Sequence, residues 1–410
     1  MKKLEFRTLR IVIFFICGAM AKPSPAQTFT TLANFNFVNG DEPNSTLVQG
    51  SDGNLYGTTF GGGLYCQTDI FSCGAIFKMT PMGALSPLLS FNYSDGAYPS
   101  GPLLQSGDSE FFGTSEGGGT FNGGTIFRIT AKGSPSLLYS FMYGAFPTGG
   151  LVQTADGDLY GTTSGGAQGS MVFKITSAGT FTKIARLDGT NGSSPAGRLL
   201  QAADGNFYGT TVYGGTGSGC KYSIGCGTIF KVTPGGALTT LYDFCSQTNC
   251  SDGSFPYAGL VQASDGNFYG TTGYGGESGK CKYGCGTIFR LTPSGKLTVL
   301  HSFRGFPTDG SDPQGTLIQA TDGNFYGTTI LGGAFSVQGC QVGGCGMVFK
   351  ITPTGKLTML HSFSSGDGSS PFAGLMQAAD GLLYGTTGLG GSTGNGTVFS
   401  LSLDLPPHRP

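Results

Sequence analysis

One phrase, LVQASDGNFYGTTGYGG from Leu260, returns in near copy as LIQATDGNFYGTTILGG from Leu317, and looser versions bring the count to seven. The aspartates that mark it are Asp52, Asp108, Asp156, Asp204, Asp265, Asp322 and Asp380, separated by 56, 48, 48, 61, 57 and 58 residues. Repetition at such a period confines the chain to a solenoid or a propeller, because each unit leaves an apolar face that only its neighbours can cover. Each unit reads as four short strands: GLVQAS, a DG turn, NFYGTT, a Gly-rich loop, GTIFKVTP, a second turn, and KLTVLHSF. Four strands in roughly 50 residues make a propeller blade.

The ends decide between the two architectures. Unit seven stops after its third strand, GTVFSLSL from Gly396, while residues 28–35 (TFTTLANF) carry the pattern of a fourth strand. Pairing the two closes a ring and removes two exposed edges, whereas a solenoid would need polar caps. The sequence therefore predicts an all-β fold: a seven-bladed β-propeller over residues 27–402, built of four-stranded blades and closed by strand 28–35. The 75 glycines beside 12% aromatic residues suit short strands with tight turns and argue against a disordered linker.

Residues 1–26 read as a secretory signal peptide: a basic start, the short apolar run IVIFFICGAM, and small-residue cleavage sites after Ala21 or Ala26. Residues 403–410 form a tail without a hydrophobic anchor. Ten cysteines remain after Cys17, and they fall as close neighbours: Cys66/Cys73, Cys220/Cys226, Cys245/Cys250, Cys281/Cys285 and Cys340/Cys345. An even number in an exported chain predicts local disulfides rather than zinc, since there is no Cys-x-x-Cys and no His beside the pairs. A net charge of −1 with 11% charged residues leaves no footprint for nucleic acid. The chain is expected to be an extracellular or periplasmic monomer with no transmembrane segment, no metal and no cofactor.

The recurring residues favour scaffold roles. Asp-Gly is a hairpin turn signal, the alternative being a ring of seven carboxylates. The strand glycine of YGTT (Gly57, Gly113, Gly161, Gly209, Gly270, Gly327, Gly385) predicts a large side chain lying over it, with the third-strand Phe of a neighbouring blade as candidate. Gln49, Gln105, Gln153, Gln201, Gln262, Gln319 and Gln377 recur in the innermost strand, where they either tie blades together or line the channel as ligand-binding groups. His301 and His361 share a slot with Tyr139 and Tyr242 and offer no nucleophile–base pair, so no catalytic residue is assigned. What varies is the face shared by the loops between strands two and three and by the blade-to-blade links. There, Tyr213, Lys221, Tyr222, Tyr257, Tyr274, Lys282 and Tyr283 fall on one side of blades four and five, a mixture suited to a glycan or protein surface.

The units DGNFYGTT…GG…GTIFKVTPGGALTTL resemble the GloVer tandem repeat of exported bacterial choice-of-anchor proteins, over nearly all of the chain after the signal. That resemblance implies export and surface display and no particular activity; no sorting tail follows Ser402, unlike the fully anchored members. GLVQASDGNFYGTT followed by IFKVTP is more distantly similar to NHL-type and streptogramin-lyase-type propellers, which imply a metal and a catalytic His near the channel mouth. Neither His301 nor His361 matches such a motif. The leading expectation is a binding or adhesion module; the alternatives are a metal-dependent lyase or hydrolase and a purely structural envelope component.

Overall fold

The computed structural model describes residues 27–65, 73–107, 109–165, 169–217, 219–220, 224–277, 281–307, 309–334, 340 and 343–408. Residues 1–26, read above as a signal peptide, and Cys66, Asp108, Lys221 and Tyr222 lie outside the described residues. Seven four-stranded antiparallel sheets form the blades. In six of them the strands follow chain order; the seventh is built from Met376–Gln377, Leu383–Thr387 and Thr397–Ser402, with the N-terminal strand Thr28–Asn34 paired outside them. Thr28 stands opposite Ser402 and Asn34 opposite Thr397. The closing strand also packs: the Phe29 ring lies 3.6 Å from that of His361 and 5.3 Å from that of Phe399. The ring is closed as the sequence predicts. No helix among the described residues is long and apolar enough to cross a membrane.

The innermost strand is shorter than GLVQAS suggests: two residues pair in most blades, as in Val48–Gln49, and three in Leu104–Ser106. Beyond it the chain turns at once, the Gly50 N–H reaching the Asn54 carbonyl at 2.8 Å. Asp52 braces this turn through the Asn54 N–H (3.1 Å) and also accepts from Tyr56 Oη (2.8 Å) and Lys78 Nζ (2.7 Å). The same set recurs at Asp204 with Tyr208 and Lys231, and at Asp322 with Tyr326 and Lys350. Desolvation pushes the Asp52 carboxyl up, but the bonds from Lys78, Asn54 and Tyr56 outweigh it and hold the group well below the usual carboxylate range. These carboxylates are consumed inside their own blades.

The YGTT glycine corrects one expectation. The Phe that covers it comes from the same blade, directly opposite in the ladder: Gly57 pairs with Phe77 and Gly270 with Phe289. Opposite residues share a face of the pleat, so the ring fills the position the glycine leaves vacant. A Cβ on Gly270 would stand 2.6 Å from Phe289 Cζ. Contact between blades falls instead to the neighbouring Tyr, whose ring lies 4.3 Å from Phe268 at Tyr208 and 4.1 Å from Phe325 at Tyr269. The first Thr of GTT donates across the same gap, from Thr210 to the Ala258 carbonyl (2.7 Å) and from Thr328 to that of Ala373 (2.8 Å). The apolar core therefore lies between blades, in clusters that each draw on two consecutive sheets.

Each link crosses to the next blade through one joint. A proline recurs four residues before each inner-strand Leu (Pro43, Pro99, Pro147, Pro195, Pro256, Pro313, Pro371), and the residue before it holds a left-handed backbone in all seven units: Glu42, Tyr98, Phe146, Ser194, Phe255, Asp312 and Ser370, with φ between 49° and 59°. Such a conformation is uncommon outside Gly; at five of the seven joints two backbone bonds hold it, and at Ser194 the N–H donates to Ser170 Oγ instead (3.0 Å). The Asp312 N–H donates to the Cys285 carbonyl of the preceding blade (3.0 Å), and its own carbonyl accepts from the Ile330 N–H of the blade it begins (3.1 Å). Pro313 then seats its Cδ over Gly286, where a Cβ would lie 2.7 Å away and overlap the Thr272 carbonyl oxygen.

Gly286→Ala is expected to cost about 2–5 kcal/mol, the sum of a left-handed residue and an overpacked joint. Gly266→Ala, at φ 79° but with nothing within 4 Å of the added methyl, is expected to cost only about 1–2 kcal/mol. Denaturant unfolding of the two variants checks the difference; equal losses would mean that the joint is not where the strain falls.

Candidate functional site

The loops between strands two and three and the inter-blade links meet on one face, where Ser254 bridges Tyr274 and Ser193 bridges Tyr213. Disulfides staple this face. Cys220 is joined to Cys226, Cys245 to Cys250, Cys281 to Cys285 and Cys340 to Cys345, and Cys73 is also disulfide-bonded. The second cysteine of several pairs sits at the joint itself: Cys73, Cys226, Cys285 and Cys345 are buried and give their carbonyls to Tyr98, Phe255, Asp312 and Ser370. The disulfides thus anchor variable loops to the rigid part of the ring. The sulfurs of Cys220, Cys226 and Cys245 come within 4.8 Å of one another, each already in a disulfide.

The tyrosines singled out in the sequence separate into two groups. Tyr213 and Tyr274 each meet Phe255 edge-on, at 5.7 and 5.8 Å. Tyr257 stands close to both and to Asp312; burial, and then these neighbours, push its hydroxyl pKa up. Farther out, Lys282 lies 5.0 Å above the Tyr283 ring. Both line a cavity of about 680 Å³ with Cys226, Cys245, Asn249, Cys250 and Glu277. Cys245, Asn249 and Cys250 hold left-handed backbone in its wall.

Four of the seven inner-strand glutamines bond between blades. Gln262 accepts from the Ala203 N–H (2.9 Å), Gln319 from Ser264 (2.9 Å), Gln377 from Thr321 (3.0 Å) and Gln49 from Ala379 (2.8 Å), each in the preceding blade. Gln49, Gln153, Gln262 and Gln319 also donate to their own turn glycines. Gln201 and Gln262 line the lower axial cavity, of about 430 Å³. The tail passes below this end of the ring, the Pro406 carbonyl accepting from Thr321 and Gln377. His301 and His361 pair with Asp309 (2.7 Å) and Asp367 (3.0 Å) in the links that follow them, as Tyr242 does with Asp252 (2.8 Å). That shared role explains why His and Tyr exchange among these three blades; Tyr139 instead stacks on Phe181 at 4.6 Å.

On the loop face, all seven blades contribute to an upper axial cavity of about 300 Å³. Its wall holds Asn44, Ser100, Glu116, Thr148, Arg198, Tyr257, Gln314 and Phe372, with Arg198 lining the lower cavity too. Most of these follow a joint proline by one residue and are aimed at the axis by it. Asp312 stands behind Gln314, whose amide nitrogen lies 3.1 Å from both carboxylate oxygens. Burial raises the Glu116 carboxyl and pushes that of Asp312 up to about 6. Repetition carries no signal for Arg198 and Asp312, and the spacing of Glu116 along the chain matches no second carboxylate. In an alignment of the seven units Glu116 and Arg198 each stand as the charged residue in an otherwise small or apolar column, whereas the column of Asp312 also holds Glu42 and Tyr98.

The folded chain holds the Asp312 proton more tightly than the unfolded chain, where Asp titrates near ~3.9. Stability should therefore fall as pH rises from about 4 through about 6. Asp312→Asn removes this slope: it is expected to stabilise the protein at about pH 7.5, by at most about 3 kcal/mol, and to change little at about pH 4.5. Unfolding curves at the two pH values check it, and a variant no more stable at the higher pH would contradict it.

Among solved structures, the extracellular domain of a protein assigned as a hybrid two-component system from B. thetaiotaomicron matches with a TM-score of 0.57 and 14% identity, over 92% of this chain and 41% of that one. This chain thus spans about two fifths of that relative. A protein from Lactobacillus plantarum matches with a TM-score of 0.51 and 15% identity, over 84% and 91% of the two chains. A gluconolactonase from Xanthomonas campestris follows at 0.42 and 16%, over 69% and 79%. For the first two, at these identities, the likeness is one of fold. No curated protein matches the sequence. The sequence profile of the Gloeobacter/Verrucomicrobia repeat matches residues 15–222, 142–336 and 221–405. Those matches run through every blade, and the chain belongs to the Gloeobacter/Verrucomicrobia repeat family.

Proposed function

We propose that the protein is an exported binding module that takes a glycan on the loop face of blades four and five. The observation that carries this reading is the cavity of about 680 Å³ walled by three disulfides. A loop pinned at several points loses little entropy when a ligand orders it, so less of the contact energy is spent on closure. The wall offers what a sugar needs: hydroxyls on Thr248, Ser251 and Ser254, an amide on Asn249, a carboxylate on Glu277, an ammonium on Lys282, and the Tyr283 ring, 54% exposed. Several disulfides suit an oxidising compartment outside the cytoplasm, in keeping with the signal peptide read in residues 1–26.

Glycan arrays probed with the mature chain, followed by titration of the best ligand, test this. Tyr283→Ala is expected to weaken binding at least tenfold while leaving the melting temperature unchanged, since the ring is mostly outside the core. Capture of a protein partner with no glycan bound, or Tyr283→Ala binding as wild type, would overturn it. The lyase or hydrolase reading draws on one observation, the two carboxyl groups of Glu116 and Asp312 raised by burial beside the upper axial cavity. A stoichiometric divalent ion in the purified protein would favour that reading.

A further inference from the structure

Arg198 brings a permanent charge to the axis of the ring. At the same place in the repeat the other blades put Thr46, Pro102, Gly150, Gly259, Thr316 and Gly374. These residues are small because neighbouring links nearly touch: the Gly259 N–H donates to Thr316 Oγ1 at 3.1 Å, and a Cβ on Gly150 would lie 2.8 Å from Pro102 Cγ. The Arg198 guanidinium has no carboxylate or hydrogen-bond partner among the described residues, and burial alone moves its pKa, downward. A half-buried cation lining a cavity without a counter-charge is unfavourable, and an anion from solution relieves it. The guanidinium fork fits a carboxylate through two parallel bonds.

The rim above has the opposite character. Asn44 Oδ1 is buried with no donor. Gln314 spends its amide nitrogen on Asp312, which leaves its carbonyl oxygen as an acceptor. Glu116 adds a carboxyl group, and Tyr257 and Phe372 add ring faces. Acceptors stacked over one cation call for a ligand with a single negative charge and several donors. A volume of about 300 Å³ stands at the small end of ligand cavities and suits one ring rather than a chain.

We propose that the upper axial cavity binds a sugar acid, its carboxylate on Arg198, its hydroxyls donating to Asn44, Glu116 and Gln314, and its ring against Tyr257 or Phe372. The site is distinct from the cavity over blades four and five, and Arg198→Met reads one while Tyr283→Ala reads the other, so either proposal can fail alone. Arg198 supplies the charge, and the rim supplies selectivity for hydroxyls over a bare anion.

Calorimetric titration of the mature chain with glucuronate, glucose, acetate and glycine tests it. Glucuronate is expected to bind at least tenfold more tightly than the other three. Arg198→Met, which keeps the apolar stem, is expected to lose at least tenfold in glucuronate affinity. Should that variant fail to fold, Asn44→Ala leaves the charge in place and is expected to lose severalfold. Acetate binding as tightly as glucuronate would reduce the site to an anion hole, and glucose doing so would make it a neutral-sugar site. Preference for glycine, no heat with glucuronate, or unchanged affinity in the variants would equally overturn the proposal.

Discussion

The ring depends on a left-handed residue held between two blades. At every joint the carbonyl of that residue is taken by the following sheet, and at five of the seven its N–H donates to a backbone carbonyl of the preceding one, as Phe255 shows between Gly273 and Cys226. The conformation is disfavoured for a side chain of this size, and the paired backbone bonds keep it in place. The proline that follows closes over a third-strand glycine, and Gly227 under Pro256 repeats what Gly286 shows under Pro313. Because the geometry is renewed seven times, each inner strand starts at the same height and angle, and the residues after the proline are carried to the axis.

This joint also explains how rigid and variable parts share one chain. The variable loops do not hang from the scaffold at their ends alone. Cys226, Cys285 and Cys345 tie them to the buried carbonyls that hold the joint. A short disulfide loop of this kind is worth about 2 kcal/mol in the chain-entropy account, and its larger consequence here is geometric. Loops of different length and composition are presented on one face without disturbing the ring, and the two cavities on that face differ in what they offer. The outer one has a ring and a mixed polar wall, whereas the axial one has a single cation below a set of acceptors.

Much of the fold was legible because a repeat carries its own controls. The Asp-Gly turn, the YGTT strand and the truncated seventh unit each had six other copies against which to be read, and the closing strand at Thr28–Asn34 followed from the missing one. The Phe over the YGTT glycine was assigned to the wrong sheet for a physical reason. A residue that must lie over a glycine can come from across the ladder or across the blade gap, and sequence spacing does not separate the two. The inner glutamines left the same kind of ambiguity, since a half-buried amide at the axis satisfies itself equally well on a neighbour or on a ligand.

Composition, period and the unequal ends of the chain determined the class, the blade count and the way the ring shuts, because those follow from hydrogen-bond pairing and pattern alone. Only the folded ring decided which odd residues matter. Arg198, Glu116 and Asp312 stand in three different blades, and nothing in their spacing along the chain relates them. They meet around one cavity because the seven joints curl the chain about an axis, and burial there, unlike pattern, is a property of the assembled whole.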